Sequence, residues 1–226
     1  MTTAHQLTEL FERLRNHFGP CNWWPGDTPF EIMVGAILTQ NTNWTNVEKA
    51  IANLKAADAL SLAAMSELSR EELAELIRPA GYYNIKADRL RNFLEYVNRE
   101  WHGDLGAFLA QPIEHLRESL LAVKGIGPET ADSMILYAAE KPIFVVDAYT
   151  HRILSRHNVI DDSYDYYQIQ ELFMDSLEED VRLFNEFHAL LVNCGKAFCK
   201  KSRPDCTGCP VSGLGGVHAW RPDDME

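Results

Sequence analysis

Two groups of residues in this chain have types and spacings that can do chemistry. The first begins with a short apolar turn, Val123-Lys124-Gly125-Ile126-Gly127-Pro128, that runs into a helix-forming segment. Further along, an apolar run from Ile143 to Val146 ends in a single acid, Asp147. Gly125 and Gly127 lack a β-carbon, so another backbone can approach them closely. Pro128 suits the first helical position, where its missing N–H is not needed. The free N–H groups and positive dipole end of that helix make an anion site beside the turn. DNA phosphate is its natural occupant, because most DNA contacts go to the backbone. Asp147, followed by Ala-Tyr-Thr-His-Arg, reads as a helix N-cap. It also reads as a catalytic acid, and the two roles are compatible, since N–H groups at a helix start keep a carboxylate ionised. Such a carboxylate stabilises developing positive charge and can activate water.

The second group is made of cysteines. Cys199, Cys206 and Cys209 follow Cys-x6-Cys-x2-Cys spacing, and Cys194 lies five residues before the first of them. Five cysteines, four of them in one short stretch, do not form a secreted disulfide framework. They suit a metal site: a cubane [4Fe–4S] cluster takes four thiolates. Zinc is the rival, with four thiolates or three thiolates and His218. Cys21 stands alone and reads as a small apolar residue.

GIGPETAD followed by VVDAYTHR keeps two independent signals in one register. The combination resembles the helix-hairpin-helix DNA glycosylase superfamily, which includes endonuclease III. The resemblance implies two helical lobes, one discontinuous (residues 1–28 and 141–226, with the metal loop) and one carrying the hairpin (residues 29–140). It implies that Asp147 is catalytic and that Lys124, Gly125 and Gly127 face DNA. Two further segments carry it. In PFEIMVGAILTQNTNW, Gln40, with Asn41 beside it, matches a glutamine that fills the gap left by a flipped base. In RPAGYYNIK, Tyr82 matches a wedge entering the opposite strand, where an aromatic ring replaces lost stacking. The endonuclease III branch has a lysine nucleophile where this chain has Glu129. A carboxylate cannot form a Schiff base, so a monofunctional glycosylase without lyase activity is expected. Endonuclease III-like enzymes place a fourth cluster cysteine where this chain has Gly215, which leaves Cys194 to supply the missing thiolate.

Asn22-Trp23-Trp24-Pro25 bears on the substrate. A cationic methylated purine is attracted to an aromatic face, and Trp23, Trp24, Pro25 and Trp44 would suit it. Together these motifs look like the type III 3-methyladenine DNA glycosylases, and 3-methyladenine or another alkylated purine is the expected lesion. Two alternatives stand beside it: an endonuclease III-like glycosylase for oxidised or mismatched pyrimidines, and a non-catalytic DNA-binding module.

The elements that must position these residues are helical nearly throughout, giving an all-α fold. Apolar periodicity predicts helices over 2–18, 30–38, 47–54, 68–77, 85–97, 105–110, 113–121, 128–139, 149–157, 166–177 and 181–193. Only Ile143 to Val146 looks strand-like, and it is too short to make a sheet. With 226 residues, 46% of them hydrophobic, the chain can bury one large or two small cores. The net charge of −12 runs against a basic DNA footprint. The acid is uneven, however: Lys196, Lys200, Lys201 and Arg203 cluster by the cysteines, and Arg152 and Arg156 follow Asp147. Local sign decides docking. No leader or membrane span is evident. The expectation is a cytoplasmic monomer acting on double-stranded DNA that contains a damaged base, with no membrane partner.

Overall fold

The computed structural model describes residues 2–23 and 25–214. Among them are twelve α-helices, a short 3-10 helix and no strand. The chain falls into two compact units, residues 1–23 with 142–226 and residues 24–141. The expected boundaries stood at 28/29 and 140/141.

The first unit contains α1 (Thr3–Phe18), α10 (Ala148–Arg156), α11 (Tyr166–Ser176) and α12 (Val181–Ala197). Leu7, Leu10 and Leu14 bury one stripe of α1 completely, the spacing of an amphipathic helix. An aromatic core fills the unit. Phe144 stacks on Phe173 with ring centroids 3.7 Å apart, and both meet Phe187 edge-on. Phe144 belongs to the run that looked strand-like. Ile143, Phe144, Val145 and Val146 are all buried, but they form an extended connection with no partner strand. Their apolar character serves burial, and Gln170 donates to the Phe144 carbonyl at 2.7 Å, satisfying one backbone group that a sheet would otherwise have bonded.

The second unit contains α2 (Pro29–Leu38), α3 (Trp44–Ala56), α4 (Leu62–Glu67), α5 (Arg70–Leu76), the 3-10 turn Arg78–Ala80, α6 (Tyr83–Trp101), α7 (Leu105–Leu109), α8 (Ile113–Leu121) and α9 (Pro128–Tyr137). Apolar periodicity missed α4, which is short and starts at the Ser61 cap. The helix expected over 68–77 starts later, because Ser69 and Glu72 form a capping box that fixes Arg70 as its first residue. α6 runs further than expected at both ends, from Tyr83 to Trp101, between two residues of left-handed backbone, Tyr82 and His102.

Helices α8 and α9 are the arms of the hairpin. Arg117 on α8 forms a two-pronged pair with Asp132 on α9, at 2.7 and 3.0 Å. Asp132 is fully buried. A buried carboxylate is costly unless paired and hydrogen-bonded, so this fork fixes the two arms in one geometry.

Candidate functional site

In the first unit the candidate acid sits where a helix begins. Asp147 caps α10: its Oδ1 accepts from the Thr150 N–H at 2.7 Å and the Thr150 hydroxyl at 2.9 Å. Its Oδ2 lies 3.7 Å from His188 Nε2 on α12, and the two side chains are only 12% and 10% exposed. Burial pushes the Asp147 pKa up; His188 and the Thr150 donors oppose it and win, leaving the carboxyl below its ordinary 3.8. Asp147 is therefore both an N-cap and a sequestered anion. His188 was not singled out in the sequence, because a histidine within NEFHALL on an apolar helix reads as a core residue.

The same helix reaches the cysteines at its other end. Arg152 donates to the Cys199 carbonyl at 2.8 Å and lies 5.0 Å above the Tyr149 ring. Arg156 donates to Cys199 Sγ at 3.3 Å and to the Lys200 and Lys201 carbonyls at 2.9 and 3.1 Å. These two arginines were read as basic residues following the acid; the structure turns them onto the cysteine loop. Lys196, Lys200, Lys201 and Arg203 remain exposed. The crossing of α10 on α12 is tight, since a β-carbon at Gly195 would collide with the Tyr149 ring.

Cys199, Cys206 and Cys209 line one cavity with Arg156, His157 and Phe198. Cys194, buried at the end of α12, hydrogen-bonds Cys209. That bond pulls the Cys209 thiol down to about 7 and pushes Cys194 up, with burial adding to the rise. So Cys194 joins the three cysteines of the regular spacing. No three His, Cys, Asp or Glu side chains among the described residues already surround a common point as ligands of a single ion. Gly215 and His218 lie outside the described residues.

The second unit gathers the other candidates into three loops. Gln40 follows the α2 cap Thr39, and Asn41 has left-handed backbone with φ +56°. Gln40 Nε2 donates to the Gly125 carbonyl at 3.1 Å and to Thr130 Oγ1 at 2.9 Å. Arg89 on α6 donates to Gln40 Oε1. Tyr82 also has left-handed backbone and is 68% exposed; Ile85, one turn further on, is 52% exposed. Tyr83 packs instead, with the Arg78 guanidinium 5.2 Å from its ring centroid.

The hairpin glycines differ. Gly125 has φ +99°, and a β-carbon there would collide with the Arg89 side chain. What approaches Gly125 is thus a side chain of this protein. Gly127 has open space where a β-carbon would stand, and as the α9 N-cap it brings no side-chain acceptor to the first N–H groups. Lys124 is exposed, and its carbonyl accepts from Asn92 at 2.9 Å. Glu129 is exposed in the first turn of α9.

The described tryptophans of this group divide between the two units. Trp23 belongs to the first unit and Pro25 and Trp44 to the second. Trp24 lies outside the described residues. Trp44 opens α3 and packs its ring over Gly35, whose β-carbon would stand 3.5 Å from Cη2.

The sequence pattern of the HhH-GPD superfamily of base excision DNA repair proteins matches residues 34–179, which hold the hairpin, Arg117, Asp132 and Asp147. The chain belongs to this superfamily. It is a DNA repair glycosylase. A Methanocaldococcus jannaschii protein provisionally named as a DNA repair glycosylase is 43% identical over 206 residues, covering 91% of this chain and 93% of its own. The crystal structure of the H. pylori 3-methyladenine DNA glycosylase bound to 1,N6-ethenoadenine is 30% identical with a TM-score of 0.73, covering 87% and 98%. A trapped endonuclease III–DNA covalent intermediate shares the fold, with a TM-score of 0.80 at 20% identity over 95% and 96% of the two chains. Among the described residues of this glycosylase no helix is long and apolar enough to cross a membrane.

Proposed function

We propose that this glycosylase hydrolyses the N-glycosidic bond of an alkylated purine, 3-methyladenine or a close analogue, in double-stranded DNA, and leaves the strand uncut. The observation that carries the chemistry is the Asp147 carboxylate. It is sequestered, accepts two hydrogen bonds from Thr150 and is kept ionised beside His188. Loss of a base leaves cationic character on the sugar, which a preorganised anion in a water-poor site stabilises strongly. Asp147 Oδ1 is committed to the cap, so Oδ2, which faces His188, is the oxygen left to act on the sugar or on water.

Glu129 supports the monofunctional reading. It stands on the first turn of α9, where the resemblance to endonuclease III-like enzymes calls for a lysine nucleophile, and a carboxylate forms no Schiff base. DNA is held in this reading by the uncapped N-terminus of α9 at Gly127 and by exposed Lys124. Gln40 and Asn41 fill the space of the displaced base, and Tyr82 enters the stack. The exposure of Tyr82 supports its part, because a ring destined for a base stack has no work in the free protein. The alkylpurine assignment draws on Trp23, Trp24, Pro25 and Trp44, and on the H. pylori relative with its bound 1,N6-ethenoadenine. A positively charged base gains about 0.5–2 kcal/mol from an aromatic face.

We further infer that Cys194, Cys199, Cys206 and Cys209 hold a [4Fe–4S] cluster, with zinc as the alternative. The donor set fits: Cys199, Cys206 and Cys209 line one pocket, Cys194 hydrogen-bonds Cys209, and the Arg156 N–H aimed at Cys199 Sγ suits a thiolate. A bound cluster would staple the exposed Lys200, Lys201 and Arg203 in place.

The deciding experiment presents the protein with methylated and oxidised duplexes and identifies released bases by mass. Alkylpurine release with no borohydride-trapped adduct is expected. Release of oxidised pyrimidine alone would promote an endonuclease III-like substrate range, and a robust adduct would mean that another amine acts as nucleophile. Trp44→Ala should then lower alkylpurine release more than duplex binding.

A further inference from the structure

Helix α6 presents Lys86, Arg89 and Asn92 at three-residue spacing, which places them on one face. Each reaches out to a different loop. Lys86 Nζ donates to the Leu38 and Ala80 carbonyls, both at 2.8 Å, just before the loops that carry Gln40 and Tyr82. Asn92 donates to Lys124 in the hairpin. Between them, Arg89 donates to Gln40 Oε1 while its methylenes lie across Gly125, the space a β-carbon would need.

A glutamine amide has one accepting oxygen and one doubly donating nitrogen. Here the oxygen takes the guanidinium and the nitrogen gives to Gly125 and Thr130. Turned over, the amide would set its NH2 against a cation and its oxygen against a carbonyl. Arg89 therefore decides which way the amide faces and ties it to the hairpin turn. We propose that Arg89 is the positioning residue for Gln40: it orients the Gln40 amide and binds it to Gly125, so that hairpin and Gln40 meet DNA as one rigid piece. This rests on the reading of Gln40 as the residue that enters the space of the displaced base. Preorganisation of this kind raises the rate of the bound complex rather than its affinity.

Arg89→Met keeps the methylenes over Gly125 and removes the guanidinium. Its unfolding midpoint and its affinity for undamaged duplex should stay near wild type, while single-turnover base release falls about tenfold, the scale of one lost charged hydrogen bond. Arg89→Lys, which retains a charged donor, should recover part of the loss. The double variant Arg89→Met with Gln40→Ala should be no slower than Gln40→Ala alone, because Arg89 acts through Gln40. A readout independent of turnover is 2-aminopurine placed beside the lesion. Its fluorescence should rise when wild-type protein binds, and rise less, to the same lower level, with Arg89→Met, Gln40→Ala and the double variant.

Losses that multiply in the double variant would overturn the proposal. So would a weakened, less salt-dependent duplex affinity in Arg89→Met, which marks a phosphate contact, or an unchanged fluorescence rise in that variant. Gln40→Ala with wild-type release and wild-type fluorescence would sink the reading of Gln40 and the proposal together. If wild-type protein released no base from any duplex, the function reading would fail alone, and the fluorescence comparison would still decide the part played by Arg89.

Discussion

The acid and the three gripping loops are built on different principles. Asp147 is set by its own helix start: Thr150, three residues away, supplies both hydrogen bonds to Oδ1, and one distant side chain, His188, faces Oδ2. The loops depend on contacts between residues far apart in the chain. Gln40 meets Gly125 and Thr130 at separations of 85 and 90 residues, Arg89 meets Gln40 at 49, and Asn92 meets Lys124 at 32. A local cap survives small rearrangements of its surroundings; a three-loop assembly does not. Substitutions at the acid should therefore change chemistry and spare the fold, while substitutions among the loops should change geometry first.

The largest expected effect tests the first half of that contrast. Asp147→Asn removes the charge but keeps an oxygen that can cap α10. Single-turnover base release should fall roughly 10²–10⁴-fold, the usual worth of a positioned acid or base. Affinity for lesion-containing duplex should stay within a few-fold. Turnover near the wild-type rate would remove Asp147 from the chemistry and leave it a cap.

The two hairpin glycines test the second half. Gly125→Ala meets both a positive φ and the Arg89 side chain. The strain should cost on the order of 1–3 kcal/mol, seen as a lower unfolding midpoint, together with slower base release as Gln40 is dislodged, while duplex affinity changes little. Gly127→Ala has room and an extended backbone at φ −99°. It should leave free-protein stability within about 0.5 kcal/mol of wild type. Its duplex affinity should fall nonetheless, because a methyl group would stand at the phosphate contact proposed for the α9 N-terminus. Equal behaviour of the two variants in both assays would erase the distinction between an internally filled glycine and an outward-facing one.

The same contrast explains what the sequence made legible. The hairpin, the all-helical character and the capping role of Asp147 follow from local rules: glycine and proline placement, apolar periodicity and a capping acid. The four cysteines announced themselves by residue type. His188, Arg89, Lys86 and the Arg117–Asp132 fork did not, because nothing within a few residues of each says which distant group it will meet. Arg152 and Arg156 were misleading for the same reason. Their charge is visible in the chain, but not that loop carbonyls and Cys199 Sγ would absorb it. Residues 143–146 look strand-like but are too short to make a sheet, and their apolar run records burial alone.

The cysteine loop sits on the local side of the comparison at one end and on the distant side at the other. Cys199, Cys206 and Cys209 belong to one loop, while Cys194 comes from the last turn of α12. Cys194→Ser should lower bound iron well below about four per chain, the content of a full cubane, and weaken the visible absorption. Base release should fall less than in Asp147→Asn, because the acid corner has its own cap. Colourless wild-type protein with one zinc would keep the site and replace the cluster.

The smallest effect separates the two regions by the sign of their pH dependence. The Asp147 pKa is lowered on folding, so its contribution to stability is present above the ordinary carboxylate value of 3.8 and is lost as pH falls through the lowered one. Lys86 is shifted the opposite way for an ammonium: burial first, then the charge of Arg89, pulls it from 10.5 to about 8. Between those two values the unfolded chain holds a proton that the native state has released, so this residue makes stability rise with pH across the window. The neutral amine still has two N–H groups for its two carbonyls, Leu38 and Ala80, so deprotonation costs the loops nothing. Chemical denaturation of Lys86→Met beside wild type should accordingly show a deficit that widens from pH 8 to pH 10. Asp147→Asn should show one that closes as pH falls from 3.8 through the lowered value, below which both forms of the site are neutral. A deficit for Lys86→Met that stays flat through pH 10 would mean that the amine keeps its charge, held by the carbonyls against burial, and the loops would then rest on an ammonium rather than an amine.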